Sequence, residues 1–148
     1  MARRMPRVGQ AISGTHGYFW WNGDICYEIT SFEAKLKTNR ETINFAGQMW
    51  DDSKLMGVSG EWSAKIKKVY SRGKYYAEQL AKGIDERLTL TAKLEDPDNG
   101  GPERIQLTSC WLDELTLQSF ENGKLTEDEF SGGFTGFTYL DEITDPCE

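Results

Sequence analysis

The residues that could do chemistry are few, and their spacing suits none of the common reactions. His16 is the single histidine. It sits in Thr15-His16-Gly17, which reads as a turn or surface position. A general base needs a nucleophile or an orienting carboxylate within hydrogen-bond reach, and nothing local supplies one. With no second histidine, a nitrogen–sulfur metal set has too few ligands. Cys26, Cys110 and Cys147 are odd in number and far apart, so neither a disulfide framework nor a zinc spacing follows. Their use fits a reducing compartment. Carboxylates are plentiful, at 24 Asp and Glu. Glu127 and Glu129, however, lie two apart in an alternating segment, side by side on one polar face rather than opposed across a cleft. Gly100-Gly101 and Gly132-Gly133 lack the lysine and following helix of a phosphate loop. We therefore expect no enzyme activity, no cofactor and no metal.

The elements that hold these residues explain more. The chain has 148 residues, enough for one domain with one core. Hydrophobic residues make up 38% and aromatic residues 12%, which suits a strand-rich globular protein. The net charge of −7 disfavours nucleic acid binding, which depends on Lys and Arg neutralising phosphates. No run reaches membrane-spanning length, and the basic start (Arg3, Arg4, Arg7) lacks the apolar stretch of a signal peptide.

Period-two alternation dominates from Ala11 onward. Tyr18-Phe19-Trp20-Trp21 and Ile25–Ile29 flank Asn22-Gly23, a strong hairpin signal because both residues accept positive φ. Phe32, Ala34 and Leu36 alternate with Glu33, Lys35 and Lys37. A turn at Thr38-Asn39-Arg40 then leads to Ile43 and Phe45 against Thr42 and Asn44, and the pair reads as a long hairpin. Gly47–Gly60 reads as a long loop carrying the apolar residues Met49, Trp50, Leu55 and Met56. Glu61–Val69 is a further strand.

One helix is expected over 71–82, with Ser71 as N-cap, Tyr70 and Tyr75 as a staple, Gly83 past its end, and Tyr76 and Leu80 on its buried stripe. Strands follow at Leu88–Leu94, at Ile105–Leu107 leading on to Leu115–Leu117, and after a second Asn-Gly turn at Asn122-Gly123. Tyr139–Glu148 reads as an acidic tail. The fold class is mainly β, a β-sandwich or partly open β-barrel with one short flanking α-helix. The organisation is an arm at 1–10, a domain at 11–141 and a tail at 142–148.

On this alternation Glu33, Lys35, Lys37, Arg40, Thr42, Asn44, Glu114, Thr116, Gln118, Glu127, Glu129 and Ser131 share a polar face. Phe32, Leu36, Ile43, Phe45, Leu115, Leu117, Phe130 and Phe134 are its apolar reverse. Long hairpins leave strand edges that must be covered or paired with copies of the chain. The expected edges lie near Thr42–Phe45 and near Thr126–Phe134.

Four segments carry a family resemblance: Ile12-Ser13-Gly14-Thr15-His16-Gly17, Thr30-Ser31-Phe32-Glu33-Ala34, Phe45-Ala46-Gly47-Gln48-Met49-Trp50, and Gly101-Pro102-Glu103-Arg104-Ile105-Gln106-Leu107. In order and spacing, from Ile12 to Asp141, the chain resembles the XkdM-like tail tube proteins of PBSX-type contractile phage tails and R-type bacteriocins. The Arg-rich start has no counterpart in that pattern. The resemblance implies hexameric rings stacked into a hollow conduit for DNA passage or membrane puncture. It implies partners in a sheath, baseplate and tail terminator, with DNA only as transient cargo and no membrane binding by the subunit. Assembly in the bacterial host cytoplasm, as part of a virion tail or tail-like particle, goes with it. The polar-face residues would line the lumen, and Met49, Trp50, Leu55 and Met56 would contact neighbouring subunits. A type VI secretion tube subunit would share this architecture. A monomeric small-ligand-binding β-barrel is the different-class alternative, and it would enclose an apolar cavity.

Overall fold

The computed structural model describes residues 5, 8–97, 99 and 101–143. Arg3, Arg4, Arg7, Gly100, Cys147 and the end of the expected tail, 144–148, lie outside them.

Strands β1 (Gly17–Trp21) and β2 (Asp24–Ile25) form the expected first hairpin. Asn22 and Gly23 turn it at φ of 50° and 94°, the positive values a two-residue turn needs to match the strand twist. His16 sits in a short 3-10 turn just before it, Gly14–His16, in which the Ser13 hydroxyl accepts a bond from the Thr15 amide.

The next hairpin is longer than its sequence pattern implies. Strand β3 runs unbroken from Ile29 to Ile43, and β4 from Asp52 to Lys67. No turn interrupts β3 at Thr38-Asn39-Arg40. Asn39 pairs with Gly57 and Arg40 with Leu55, so Met56 is an extra residue in β4, a β-bulge that absorbs the break in pattern. The turn lies at 44–51, with Gly47 at φ 87° and the Gln48 amide donating to the Phe45 carbonyl at 3.1 Å. Most of the expected Gly47–Gly60 loop is therefore strand. Glycines at 57 and 60 look like loop signals, but Gly60 is there for closeness: a Cβ on it would lie 2.5 Å from the Phe134 ring.

Helix α1 (Lys74–Ala81) is shorter than expected and starts later. Its N-cap is Gly73, not Ser71, and no side chain caps it. At the other end Gly83 takes φ 80°, with bonds from the Gly83 amide to the Leu80 carbonyl and from Ile84 to Gln79. This double-bonded closure satisfies the orphan carbonyls as the glycine's position predicted. Tyr76 packs on Trp21 at 5.6 Å between ring centroids, but Leu80 is 40% exposed, so the buried stripe is narrower than expected.

Strands β5 (Leu88–Asp96), β6 (Gly101–Leu115), β7 (Glu127–Phe134) and β8 (Gly136–Asp141) complete one open sheet, ordered β2-β1-β5-β6-β7-β4-β3, with β8 also paired to β6. The two pieces expected around Ile105 and Leu115 are one strand, shared between both halves of the sheet. Its first part pairs with β5 and β8, and its last with β7. The strand bends at Ser109, which takes φ 52°. Tyr139 and Leu140 lie in β8, so the expected tail begins only after Asp141.

The bend in β6 folds the two halves of the sheet against each other. Phe19 meets Phe32 at 4.8 Å, and Trp21 meets Trp62 at 6.0 Å and Phe130 at 5.1 Å between ring centroids. These rings supply much of the hydrophobic stabilisation. Phe130 and Phe134 are buried, and Phe32 and Leu115 pack against the core. The other expected core residues are exposed: Leu36, Ile43, Phe45 and Leu117 lie on the far part of the hairpin or in connections, beyond the reach of the other half-sheet. Asp128 is a buried exception among the core-facing residues of β7, and Lys68 pairs with it at 2.9 Å.

Cys110 is fully buried, and burial pushes its thiol from an ordinary 9.0 up to about 11. The unfolded thiol ionises first as pH rises, so the stability this group contributes is complete below pH 9 and lost as pH rises towards 11. Melting temperatures across that range should fall, and Cys110→Ala should flatten the fall, by an amount equivalent to about 2 kcal/mol. An unchanged slope in Cys110→Ala would assign the alkaline transition to other groups.

Candidate assembly surfaces

Strands β3, β4, β7 and the end of β6 form a four-stranded wall. Register puts Glu33 beside Ser63, Ser131 and Glu114, and Lys35 beside Glu61 and Gly133. These residues face away from the core, while Phe32, Ala64, Phe130 and Leu115 line up on the other side. Alternation alone enforces this separation.

Of the expected polar-face residues, the wall brings together Glu33, Lys35, Lys37, Glu114, Glu127, Glu129 and Ser131. Thr116 joins them just past β6, its hydroxyl accepting from the Glu129 amide at 3.1 Å. Arg40 and Thr42 do not belong to that face. Because β3 is continuous, they share the parity of Phe32 and Leu36, and the Arg40 Nε donates to the Thr38 hydroxyl at 3.3 Å. Asn44 lies in the 44–51 turn, bonded to Asp51, and Gln118 lies in the β6–β7 connection. Sequence reasoning missed the share of β4: Ser59, Glu61, Ser63 and Lys65 occupy the middle of the face. The alternation over 61–67 was legible, but nothing local says that β4 lies between β3 and β7.

The face is nearly self-neutralised. Lys35 meets Glu33 at 3.4 Å, Lys37 meets Glu61 at 3.2 Å, and Lys65 meets Glu129 at 3.5 Å. Pairs this exposed add little stability. Their effect is to cancel one another's field, so the acidic surplus of the chain lies mostly elsewhere. Trp111, also on this face, covers Gly133 and is itself covered by the Arg87 guanidinium at 4.9 Å.

The wall has two lateral edges. Among the described residues, no strand pairs with the outer side of β3 along Ile29–Ile43, and on the far side Trp111–Leu115 of β6 pairs only with β7. Strand β7 pairs on both sides, so the expected edge near Thr126–Phe134 is an interior strand. Strand β4 pairs along the side of β7 that a free-standing β6–β7 hairpin would leave open.

Met49 and Trp50 stand in the 44–51 turn, 97% and 87% exposed, beside Phe45 at 68%. Leu55 and Met56 are exposed on β4 rather than in a loop, Met56 as the bulged residue. Large apolar side chains grouped in the open like this are uncommon on the free surface of a soluble protein. On the outer flank of the domain, Glu28 pairs with Arg72 beside Cys26. Burial alone would raise the Glu28 carboxyl, but the hydrogen bond and charge of Arg72 hold it below the usual range. Among the described residues no cluster of His, Cys, Asp and Glu could hold a metal ion.

Comparison with known proteins agrees with this architecture. The chain is 28% identical over 142 residues to the phage-like element PBSX protein XkdM of Bacillus subtilis (strain 168), covering 94% of this chain and 97% of that protein. Its fold is shared, at 12% identity and a TM-score of 0.69, with a chain in the sheath/tube terminator of an extracellular contractile injection system, covering 94% and 99% of the two chains. A chain in the sheath-tube complex of that system aligns at 10% identity and a TM-score of 0.67, over 91% and 95%. Residues 5–141 match the phage tail tube protein family, and the chain belongs to it.

Proposed function

We propose that the chain is the building block of a contractile tail tube and works by self-assembly alone. Six copies close into a ring, rings stack, and the polar face of the β3-β4-β7-β6 wall lines a hollow conduit. The domain at 11–141 is the tube unit, with the segments 1–10 and 142–148 outside it. The observation that carries this reading is a single wall that combines an outward polar face with two unpaired lateral edges. A closed ring of such walls has no edge left to aggregate, because β3 of one copy pairs with the end of β6 in the next through one repeated contact. A nearly neutral lumen lets DNA pass as transient cargo without being held. A sheath, a baseplate and a terminator are the fitting partners, in a tail assembled in the bacterial cytoplasm. The ligand-binding alternative is disfavoured because aromatic rings fill the space between the half-sheets where a barrel would keep its cavity.

Negative-stain microscopy of the purified protein at rising concentration tests this: rings and hollow tubes are expected. A protein that stays monomeric throughout would refute the reading. Trp50→Ala tests the 44–51 turn as an inter-subunit contact. It should leave melting temperature unchanged, because the indole touches solvent rather than core, and should block tube growth. Tubes of ordinary length from that variant would remove the turn from the contact.

A further inference from the structure

Three asparagine–glycine pairs occur in the chain, at Asn22-Gly23, Asn99-Gly100 and Asn122-Gly123. Such a pair carries a reaction of its own. The glycine amide nitrogen can attack the asparagine Cγ, because no Cβ on the glycine blocks the approach. A new N–C bond forms, the side-chain NH2 leaves as ammonia with the glycine N–H proton, and a five-membered succinimide remains. Water then opens the ring at either carbonyl. One opening gives aspartate and the other isoaspartate, whose backbone is longer by a methylene. The asparagine side chain must swing onto its own following peptide for this to happen, so the fold decides which pair reacts.

Two of the three asparagines are held back. Asn22 sits at φ 50° in the first hairpin, between the paired residues Trp21 and Asp24. Its backbone amide donates to the Thr89 carbonyl at 2.8 Å, and its side-chain carbonyl accepts from the Thr89 amide at 3.4 Å. Asn99 is half-buried. Its backbone amide donates to the Asp96 carbonyl at 3.0 Å and its side-chain amide to the Gln10 carbonyl at 2.7 Å. Asn122 differs on every count. It lies in the β6–β7 connection, exposed with its neighbours from 117 to 125. Among the described residues its side chain has no hydrogen-bond partner. Its turn, with Gly123 at φ 86°, is closed by the Lys124 amide on the Glu121 carbonyl at 3.1 Å and by an exposed ion pair of the same two residues at 3.3 Å. Contacts so open to solvent yield at little cost. We infer that Asn122 is a site of spontaneous deamidation, and that Asn22 and Asn99 are protected by the fold. The product adds a negative charge to a connection whose Leu117, Phe120 and Leu125 are exposed. The extra methylene of isoaspartate falls outside every strand, so the subunit stays folded.

Peptide mapping by mass spectrometry tests it, on the folded protein kept in dilute solution at mildly alkaline pH and sampled over days. The marks are the small mass gain of replacing NH2 by OH and a separately eluting isoaspartyl form of the same peptide. Conversion at Asn122 is expected to outpace that at Asn22 and Asn99 by about tenfold or more, the factor that a difference of about 1.4 kcal/mol in the cost of local opening produces. In denaturant all three should convert at similar rates, since glycine follows each. Asn122→Gln should remove the fast modification and leave the melting temperature unchanged. Conversion at Asn22 or Asn99 as fast as at Asn122 in the folded protein would overturn the inference. So would an intact Asn122 in the folded protein, or no conversion at any of the three in denaturant.

Discussion

Gly132→Ala is expected to prevent the chain from folding at ordinary temperatures. A Cβ at Gly132 would lie 1.8 Å from the Trp111 carbonyl oxygen and 2.8 Å from its carbon. Both are backbone atoms of the paired strand β6, so no side-chain rotation can relieve the clash. Asp113 is an extra residue there, since Leu112 pairs with Gly132 and Glu114 with Ser131. This bulge presses β6 onto β7 where the two strands turn into the core. The methyl group can be accommodated only by parting the strands, which would also expose Phe130 and Phe134. Overpacking alone typically costs about 1–3 kcal/mol. Losing the ladder and part of the core besides takes the expected total to about 4–5 kcal/mol, a large share of the stability of a domain this size. Thermal or denaturant unfolding of the purified variant measures it. A melting temperature within a few degrees of the parent would show that the strands part readily.

Proline substitution in β3 is expected to separate folding from assembly. Lys35 and Leu36 are consecutive, and both pair with β4. In a strand, successive N–H groups point to opposite sides, so one of these two amides faces β4 and the other faces the open edge. Proline at the inward position removes a ladder bond and leaves a β4 carbonyl without its donor, which should destabilise the subunit by about 1–3 kcal/mol. At the outward position it removes only a donor that the free monomer leaves to solvent. That second variant, Lys35→Pro or Leu36→Pro, should keep nearly the parent melting temperature and fail to make rings. Calorimetry and sedimentation of both proteins give the comparison. Normal tubes from the variant that keeps its stability would remove β3 from the seam between subunits. The same substitution at Asn44 would decide nothing, because Asn44 lies past the end of β3.

Much of the β character and the chemistry of each face was legible in the residues. Asn22-Gly23 turns the first hairpin because two residues that accept positive φ stand between aromatic runs, and that preference needs no tertiary help. Gly83 closes α1 for the same reason. The strict alternation of Phe32 to Lys37 and of Glu61 to Lys67 assigns polar and apolar sides to β3 and β4 wherever those strands end up. The resemblance in segment order led to the family to which the chain belongs.

What alternation could not convey was where strands begin, end and lie relative to one another. Thr38-Asn39-Arg40 has turn composition but is held in a strand, because β4 pairs along its whole length and the bulge at Met56 takes up the irregularity. Arg40 and Thr42 consequently fall on the side opposite Glu33. Glycines at 57, 60, 132 and 133 look alike in sequence. Gly60 and Gly133 have aromatic rings over them and Gly132 a neighbouring backbone, and only the packed sheet distinguishes these uses. The placement of β7 between β6 and β4, rather than at an edge, is a non-local pairing. Local propensity is a property of a few neighbouring residues. Register, strand order and the free edges depend on contacts between residues far apart in the chain, so they were decided only when the two half-sheets closed on their shared aromatic core.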